Sequence, residues 1–292
     1  MAFFVEVLIN GLLVGIMYSL VALGFALIYK ASDVFNFAQG DMSLLAGLAL
    51  VGFLTVMPLW LALLCTIGVM TILAYGTVFI IFRPLVARPP LILFMAAIGL
   101  AFLVQGIGQG IWGTDAKGLN IGIPDDIWVI GGVFISTFDL TFGLVAAILV
   151  AGLVWFFQKT RTGRALRAVA DDHEAALSVG IPLLRAWAVT WVIAGIVAAV
   201  AGVAWGSRLG VQFSLSLIAL KALPVLILGG IDSIPGAILA GLVVGAGENL
   251  AEVFIGPYVG GGIQTFFPYL LALIFLWFKP YGMFGKEIIE RV

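Results

Sequence analysis

From residue 7 to residue 29 the chain is apolar almost without interruption, and the run closes on Lys30. The pattern returns at 35–56, 59–82, 91–112, 139–157, 187–205 and 264–279. Crossing a hydrocarbon core as a helix takes about 20 mainly apolar residues, and most of these runs reach or approach that length. They are continuously apolar rather than alternating, which argues against a transmembrane β-barrel. A further apolar stretch at 217–254 is broken by "GGIDSIPGA" and reads as two crossings meeting in a tight turn at 232–235. The fold class expected is an all-α polytopic membrane protein with about eight or nine transmembrane helices. Between the fourth and fifth runs, "GTDAKGLNIGIPDD" carries turn residues and is polar enough to leave the membrane. The following "IWVIGGVFIST", 127–137, reads as a short extramembrane hairpin around Gly131-Gly132.

Composition sharpens this picture. The 292 residues are 63% hydrophobic and only 10% charged, with mean hydropathy +1.23, whereas soluble domains carry about 25% charged residues. A net charge of −1 offers no basic surface for nucleic acid. Cys65 is the only cysteine, so there is no disulfide framework. His173 is the only histidine and no metal-ligand spacing surrounds it. Met1 to Glu6 lacks a basic region of the signal-peptide kind, so the first run is expected to stay as a helix. Placing 158–185 in the cytoplasm puts Lys30, Arg83, Arg88, Lys159, Arg161, Arg164, Arg167, Arg185, Lys279, Lys286 and Arg291 inside. Only Lys117 and Arg208 then fall outside, with Lys221 near a membrane end. By the positive-inside rule the N-terminus is outside and the C-terminus cytoplasmic.

Residues 162–180, "TGRALRAVADDHEAALSVG", are the soluble-looking exception. Two helices fit there. The first carries Arg164, Leu166, Arg167, Val169 and Ala170. The second is expected to start at Asp171, with Glu174 three residues on in a capping-box-like arrangement. Gly180 suits the position just past a helix end, and Pro182 blocks continuation. Ala175, Ala176 and Val179 share one small apolar face. Such a helix fits a groove on a partner protein, or it is a solvated connector on the bilayer surface. A connector needs only about 2–8 residues, which favours docking.

Polar residues inside the runs are costly in lipid and invite functional readings. Asn10 and Tyr18 lie about two turns apart on the first run and can share a face. Asn36, Gln39 and Asp41 open the second, Gln105 and Gln109 lie in the fourth, and Lys221, Glu248 and Asn249 belong to the broken stretch. Each either lines a path or makes an interhelical hydrogen bond, and Lys221 and Glu248 can instead neutralise each other. Small-residue pairs at Gly11/Gly15, Gly106/Gly110, Gly202/Gly206 and Gly241/Gly245 suit close helix packing within the bundle or contacts between subunits. No phosphate-binding loop, nucleophile elbow or metal motif is found. An intramembrane enzyme would need convergent His, Asp or Ser at bilayer depth, and a self-sufficient carrier would show paired charges or inverted repeats. If ATP drives this protein, another chain binds it, and no cofactor is expected here.

"RTGRALRAVADDHEAALSVGI" resembles the cytoplasmic coupling loop of ABC importer permeases. "NGLLVGIMYSLVALGFALIYKASDVFNFAQGDMSLLAG" resembles the N-terminal signature of LivH-type permeases of branched-chain amino acid importers. "LGGIDSIPGA", Leu228 to Ala237, and "KPYGMFGK" are similar to that family as well, so the likeness spans nearly the whole chain. It implies an ABC importer permease bundle: a single transmembrane domain over 1–292 containing a coupling loop at 158–185. Coupling to the ATPase would run through Arg161, Arg164, Arg167, Asp171, Asp172, Glu174, Ala175, Ala176, Val179 and Gly180. The translocation path would draw on Asn10, Tyr18, Asn36, Gln39, Asp41, Gln105, Gln109 and Glu248. The implied partners are separate ABC ATPase subunits, a second permease of LivM type or a second copy, a periplasmic substrate-binding protein and membrane lipid. The implied location is the bacterial inner membrane. Docking of the binding protein would use the acidic loop around Asp115, Asp125 and Asp126, which otherwise reads as solvated surface. The family often has "NFAHGE" where this chain has Asn36-Phe37-Ala38-Gln39-Gly40-Asp41, a departure that bears on the solute. The expected solutes are branched-chain or related amino acids. The alternatives are urea or short amides, aromatic or other organic acids, and a self-sufficient carrier or channel.

Overall fold

The computed structural model describes residues 2–86, 88–124 and 126–285, without the side chains of Ile130, His173 and Glu174. Asp125, Lys286, Arg291 and the Glu174 side chain, all named above, lie outside the described residues.

Every predicted run contains a helix, the two short helices expected within 162–180 form, and a further short helix, α11, was not expected: α1 Ala2–Ser32, α2 Gln39–Leu54, α3 Leu59–Gly76, α4 Pro90–Trp112, α5 Thr137–Lys159, α6 Arg161–Asp171, α7 His173–Ser178, α8 Leu183–Leu209, α9 Ile218–Gly229, α10 Ile234–Phe254, α11 Gly256–Val259 and α12 Phe267–Phe278. Among the described residues, six helices are long and apolar enough to cross a membrane, α3 by running on through a π-turn and a 3-10 turn to Leu85. The expected crossings at α2, α9 and α12 are shorter, at 16, 12 and 12 residues. At 1.5 Å per residue, 12 residues span about 18 Å against a core of about 30 Å. Local chemistry sets these limits. Asn36 to Ala38 form a turn before α2, α9 carries Pro224 inside it, and α12 starts only after the glycines at 260–262. The break in 217–254 also shifts. The turn occupies residues 230–233, and Pro235 sits in the first turn of α10, where its missing N–H costs nothing.

The predicted hairpin forms, with β1 Ile127–Ile130 antiparallel to β2 Val133–Ser136. Gly131 and Gly132 both take positive φ (63° and 83°), as a tight two-residue hairpin turn requires. The free edge of β2 is completed by side chains of α1. The Phe134 N–H donates to Glu6 Oε2 at 3.2 Å, and Asn10 Nδ2 donates to the Phe134 carbonyl at 3.3 Å.

The chain divides into two compact units. One comprises Met1–Ala26, Gly122–Val150 and Leu220–Val292. Here α1 crosses α10 where both are glycine. A Cβ on Gly11 would lie 2.8 Å from Ala246 Cα and from the Gly245 carbonyl oxygen. The Ser19 hydroxyl lies 3.0 Å from the Gly15 carbonyl oxygen and 3.1 Å from that of Ile238. At one end of this unit, the Met283 N–H donates to Leu228 O at 2.8 Å and the Phe284 N–H to Gly229 O at 3.1 Å. The loops after α9 and α12 therefore share an end of this unit.

The other unit comprises Leu27–Ile121 and Ala151–Ala219. Its core gathers α2, α3, α4 and α8 around Trp191 and Phe82, both fully buried with ring centroids 4.8 Å apart. Gly202 lies directly against the Ser43 carbonyl, and a Cβ on Gly206 would come 2.8 Å from Val211. Lys117 and Val211 exchange backbone hydrogen bonds at 2.9 and 2.8 Å, so the loops after α4 and α8 share an end. One pair departs from the packing expectation. Added Cβ atoms at Gly106 and Gly110 meet nothing within 4 Å, whereas Gly108 faces Leu48 at 3.1 Å. The buried stripe of α4 runs Leu93, Ala97, Leu100, Val104, Gly108, and this helical phase turns Gly106 and Gly110 outward.

Candidate functional site

The segment between α5 and α8 is built on caps. Thr160 opens α6, its Oγ1 accepting the Gly163 N–H at 2.9 Å. Gly163 allows α6 to fold back on the end of α5, since a Cβ there would lie 2.6 Å from Phe157 Cα. Leu166 and Val169 are buried, and α6 and α7 both pack on α8. Arg161 and Arg164 are exposed, while Arg167 is half-buried and its Nη2 donates to the Gln158 carbonyl at 3.4 Å. The expected cap shifts by one residue. Asp171 is the last residue of α6, and the single extended residue Asp172 (φ −160°, ψ 114°) caps α7, its Oδ1 accepting the Ala175 N–H at 2.9 Å. Gly180 closes α7 at φ 84°. Ile181 N–H reaches Ala176 O and Gly180 N–H reaches Leu177 O, each at 3.0 Å, a Schellman closure that only a residue tolerant of positive φ completes cheaply.

The predicted apolar face is rotated. Ala176 points inward and is 3% exposed, so it is unavailable to a partner. The outward apolar surface is Ala175, Leu177 (53% exposed) and Val179 (74% exposed). Leu177 was not among the expected residues. The α-helical spacing that groups 175, 176 and 179 ignores that Val179 already lies past the end of the helix.

Three polar side chains meet within the first unit. Lys221 Nζ lies 3.1 Å from Glu248 Oε1. The Tyr18 hydroxyl donates to the same oxygen at 3.3 Å, and Lys221 Nζ is 3.4 Å from the Tyr18 oxygen. The ammonium also sits 5.9 Å from the centroid of the Tyr18 ring. The Glu248 side chain is 7% exposed and that of Lys221 30%. Tyr18 comes from α1, Lys221 from the first turn of α9 and Glu248 from α10, so the glycine crossing of α1 and α10 brings the hydroxyl and carboxylate together. The possible neutralisation of Lys221 by Glu248 is thus realised.

The other expected path residues lie on α1, at the start of α2 and on α4. Asn36 and Gln39 are fully buried at the start of α2. Asn36 Oδ1 accepts the Ala38 N–H at 3.2 Å, Asn36 Nδ2 donates to Gln39 Oε1 at 3.2 Å, and Gln39 Nε2 donates to the Ala194 carbonyl at 3.5 Å. Asp41 is half-buried in the first turn of α2. On α4, Gln105 is half-buried and Gln109 exposed. Asn10 reaches the hairpin, while Tyr18 reaches Glu248.

Comparison with known proteins assigns the architecture. Residues 7–277 match the family described as branched-chain amino acid transport system / permease component. The high-affinity branched-chain amino acid transport system permease protein BraD of Pseudomonas aeruginosa is 31% identical over 306 residues, covering 99% of this chain and 98% of BraD. The corresponding permease LivH of Escherichia coli is 29% identical over 312 residues, covering 99% and 98%. A probable branched-chain amino acid transport permease LivH of Methanocaldococcus jannaschii is 26% identical over 294 residues, covering 92% and 88%. Among solved structures, PsaBC from Streptococcus pneumoniae in complex with Fab aligns at 14% identity and TM-score 0.48, covering 92% of this chain and 89% of that one. Since the match runs from within α1 to within α12, this multi-pass helical membrane protein belongs to the family of permease components of branched-chain amino acid transport systems.

Proposed function

We propose that the chain is the permease subunit of an ATP-driven ABC importer, supplying half of a path for branched-chain or related amino acids across a bacterial inner membrane. The observation that carries this reading is the end-to-end correspondence with permeases named for high-affinity branched-chain amino acid transport. The other half of the path is a second permease of LivM type or a second copy of this chain. A periplasmic protein delivers the solute, and separate ATPase subunits supply the work. In this reading the N-terminus is outside and 158–185 cytoplasmic, as the Lys and Arg distribution favours.

The coupling surface is α7 with its outward Ala175, Leu177 and Val179, bordered by Arg161, Arg164, Asp171 and Asp172. A helix closed by an Asp cap and a Schellman turn moves as one body. Buried Leu166 and Val169 pass its displacement to the rest of their unit, and α8 follows directly after Pro182. Closure of the ATPase subunits then drives a rigid-body change that alternates access. The test is reconstitution with the cognate ATPase and binding protein, measuring solute-stimulated ATP hydrolysis over a panel of leucine, isoleucine, valine, urea, short amides and aromatic acids. Stimulation by the aliphatic amino acids supports the reading. Stimulation by urea or the acids alone reassigns the solute, and uphill uptake by the chain alone overturns the ATPase requirement.

A further inference from the structure

We propose that Tyr18, Lys221 and Glu248 form a binding site for the α-amino and α-carboxylate groups of a zwitterionic amino acid, which enters by exchanging the Lys221–Glu248 pair for two pairs of its own. This rests on the permease reading above and narrows its solute class.

The location is the first reason. Tyr18 lies at the middle of the 31-residue α1, with apolar turns on both sides. Ionised groups at such depth are expensive and mark function by default. A buried ion pair is seldom better for stability than apolar packing of the same volume. Helix association does not call for it either, because α1 and α10 already meet backbone to backbone through Gly11, Gly15, Gly241 and Gly245.

The chemistry is the second reason. The cluster offers one cation, one anion and one hydroxyl that both donates and accepts. A zwitterion carries the complementary set. When it binds, its carboxylate pairs with Lys221 Nζ and its ammonium with Glu248 Oε1, so the buried charge stays balanced before and after. An organic anion would occupy Lys221 and strand Glu248. An amine would do the reverse. Urea or a short amide would part the pair without replacing either charge. The site therefore sorts solutes by ionic form and leaves the side chain to be recognised elsewhere.

The geometry permits the exchange. At 30% exposure the Lys221 side chain is reachable and its flexible stem can swing, whereas Glu248 is held at 7% exposure. Tyr18 stays with both partners, its hydroxyl 3.3 Å from the carboxylate and its ring 5.9 Å below the ammonium. Re-formation of the Lys221–Glu248 contact expels the solute, which suits a site that must bind and release in each cycle.

Two measurements test this. In the reconstituted importer, K221M/E248M removes both charges together and leaves no stranded ion. We expect the variant to assemble with the ATPase in wild-type yield and leucine uptake to fall at least about tenfold. Uptake within about twofold of wild type would reduce the pair to packing and overturn the proposal. Should the double variant fail to assemble, the wild-type chain in detergent still decides the matter by saturation-transfer NMR with leucine, its deaminated analogue isocaproate and its decarboxylated analogue isoamylamine. Leucine binding at least about tenfold tighter than either analogue is expected, and equal binding of the three overturns the site. A wild-type complex that hydrolyses no ATP in response to solute would instead defeat the permease reading, and the NMR comparison would still report on the site.

Discussion

A Cβ placed on Gly15 would lie 2.5 Å from the carbonyl oxygen of Gly241, so α1 and α10 approach until their backbones touch. No side chain fits there without parting the helices. Gly15→Leu is expected to lower stability by about 1–3 kcal/mol or more, the usual range for overpacking a close contact. Gly106→Leu is expected to stay within about 0.5 kcal/mol, because nothing lies within 4 Å of an added Cβ. Thermal unfolding of the two purified variants in the same detergent distinguishes them. Equal losses would show that the α1–α10 contact is looser than described.

The cap of α7 offers a second handle. Asp172 accepts the Ala175 N–H, and removing such a cap typically costs about 1 kcal/mol of local stability. Asp172→Ala should therefore speed hydrogen exchange across α7 and weaken ATPase association, while Asp172→Asn, which retains the accepting oxygen, should do neither.

Docking separates from folding at neighbouring positions. Val179→Glu places a charge on the outward face and is expected to abolish co-purification with the ATPase while the chain inserts normally. Ala176→Glu buries a charge and should instead reduce yield and thermal stability, by about 3 kcal/mol or more. If Val179→Glu assembled normally with the ATPase, the outward face of α7 would not be the coupling surface.

These contrasts show what the amino-acid sequence makes legible. Hydrophobic runs locate the apolar helices, because desolvating an apolar stretch is a property of the stretch itself, whereas α6 and α7 are read from caps and spacing and the short α11 is not read at all. Caps are readable to within one residue: Asp171 and Asp172 are chemically identical, and only the backbone angle decides which one caps. Facing partners are not readable. Gly106/Gly110 carries the same spacing as Gly11/Gly15, yet only the latter finds another glycine pair to pack on. Lys221 and Glu248 lie 27 residues apart and Tyr18 lies 203 residues from Lys221, so their meeting depends on which helices cross. The outward position of Leu177 is not legible for a similar reason, since in so short a helix the end of the helix, rather than its period, decides what faces out.

The loop beyond α10 carries a last expectation. Glu252 clamps it with both oxygens: Oε1 accepts the Gly262 N–H at 2.9 Å and Oε2 the Gln264 N–H at 3.0 Å. Between these anchors and the helix, Gly260, Gly261 and Gly262 all hold positive φ, a run with little preference for one conformation of its own. The carboxylate therefore supplies the order that the glycines withhold. Glu252→Ala should leave both amides to solvent and accelerate their hydrogen exchange relative to amides in the middle of α10. Glu252→Gln keeps one accepting oxygen and should protect one of the two amides only. Because α12 begins within a few residues of Gln264, the loss should extend into its first turn, at Phe267 to Leu270. Unchanged exchange at Gly262 and Gln264 in Glu252→Ala would mean that packing of the Phe267 ring against Gly247, where an added Cβ would lie 2.8 Å away, holds the loop instead.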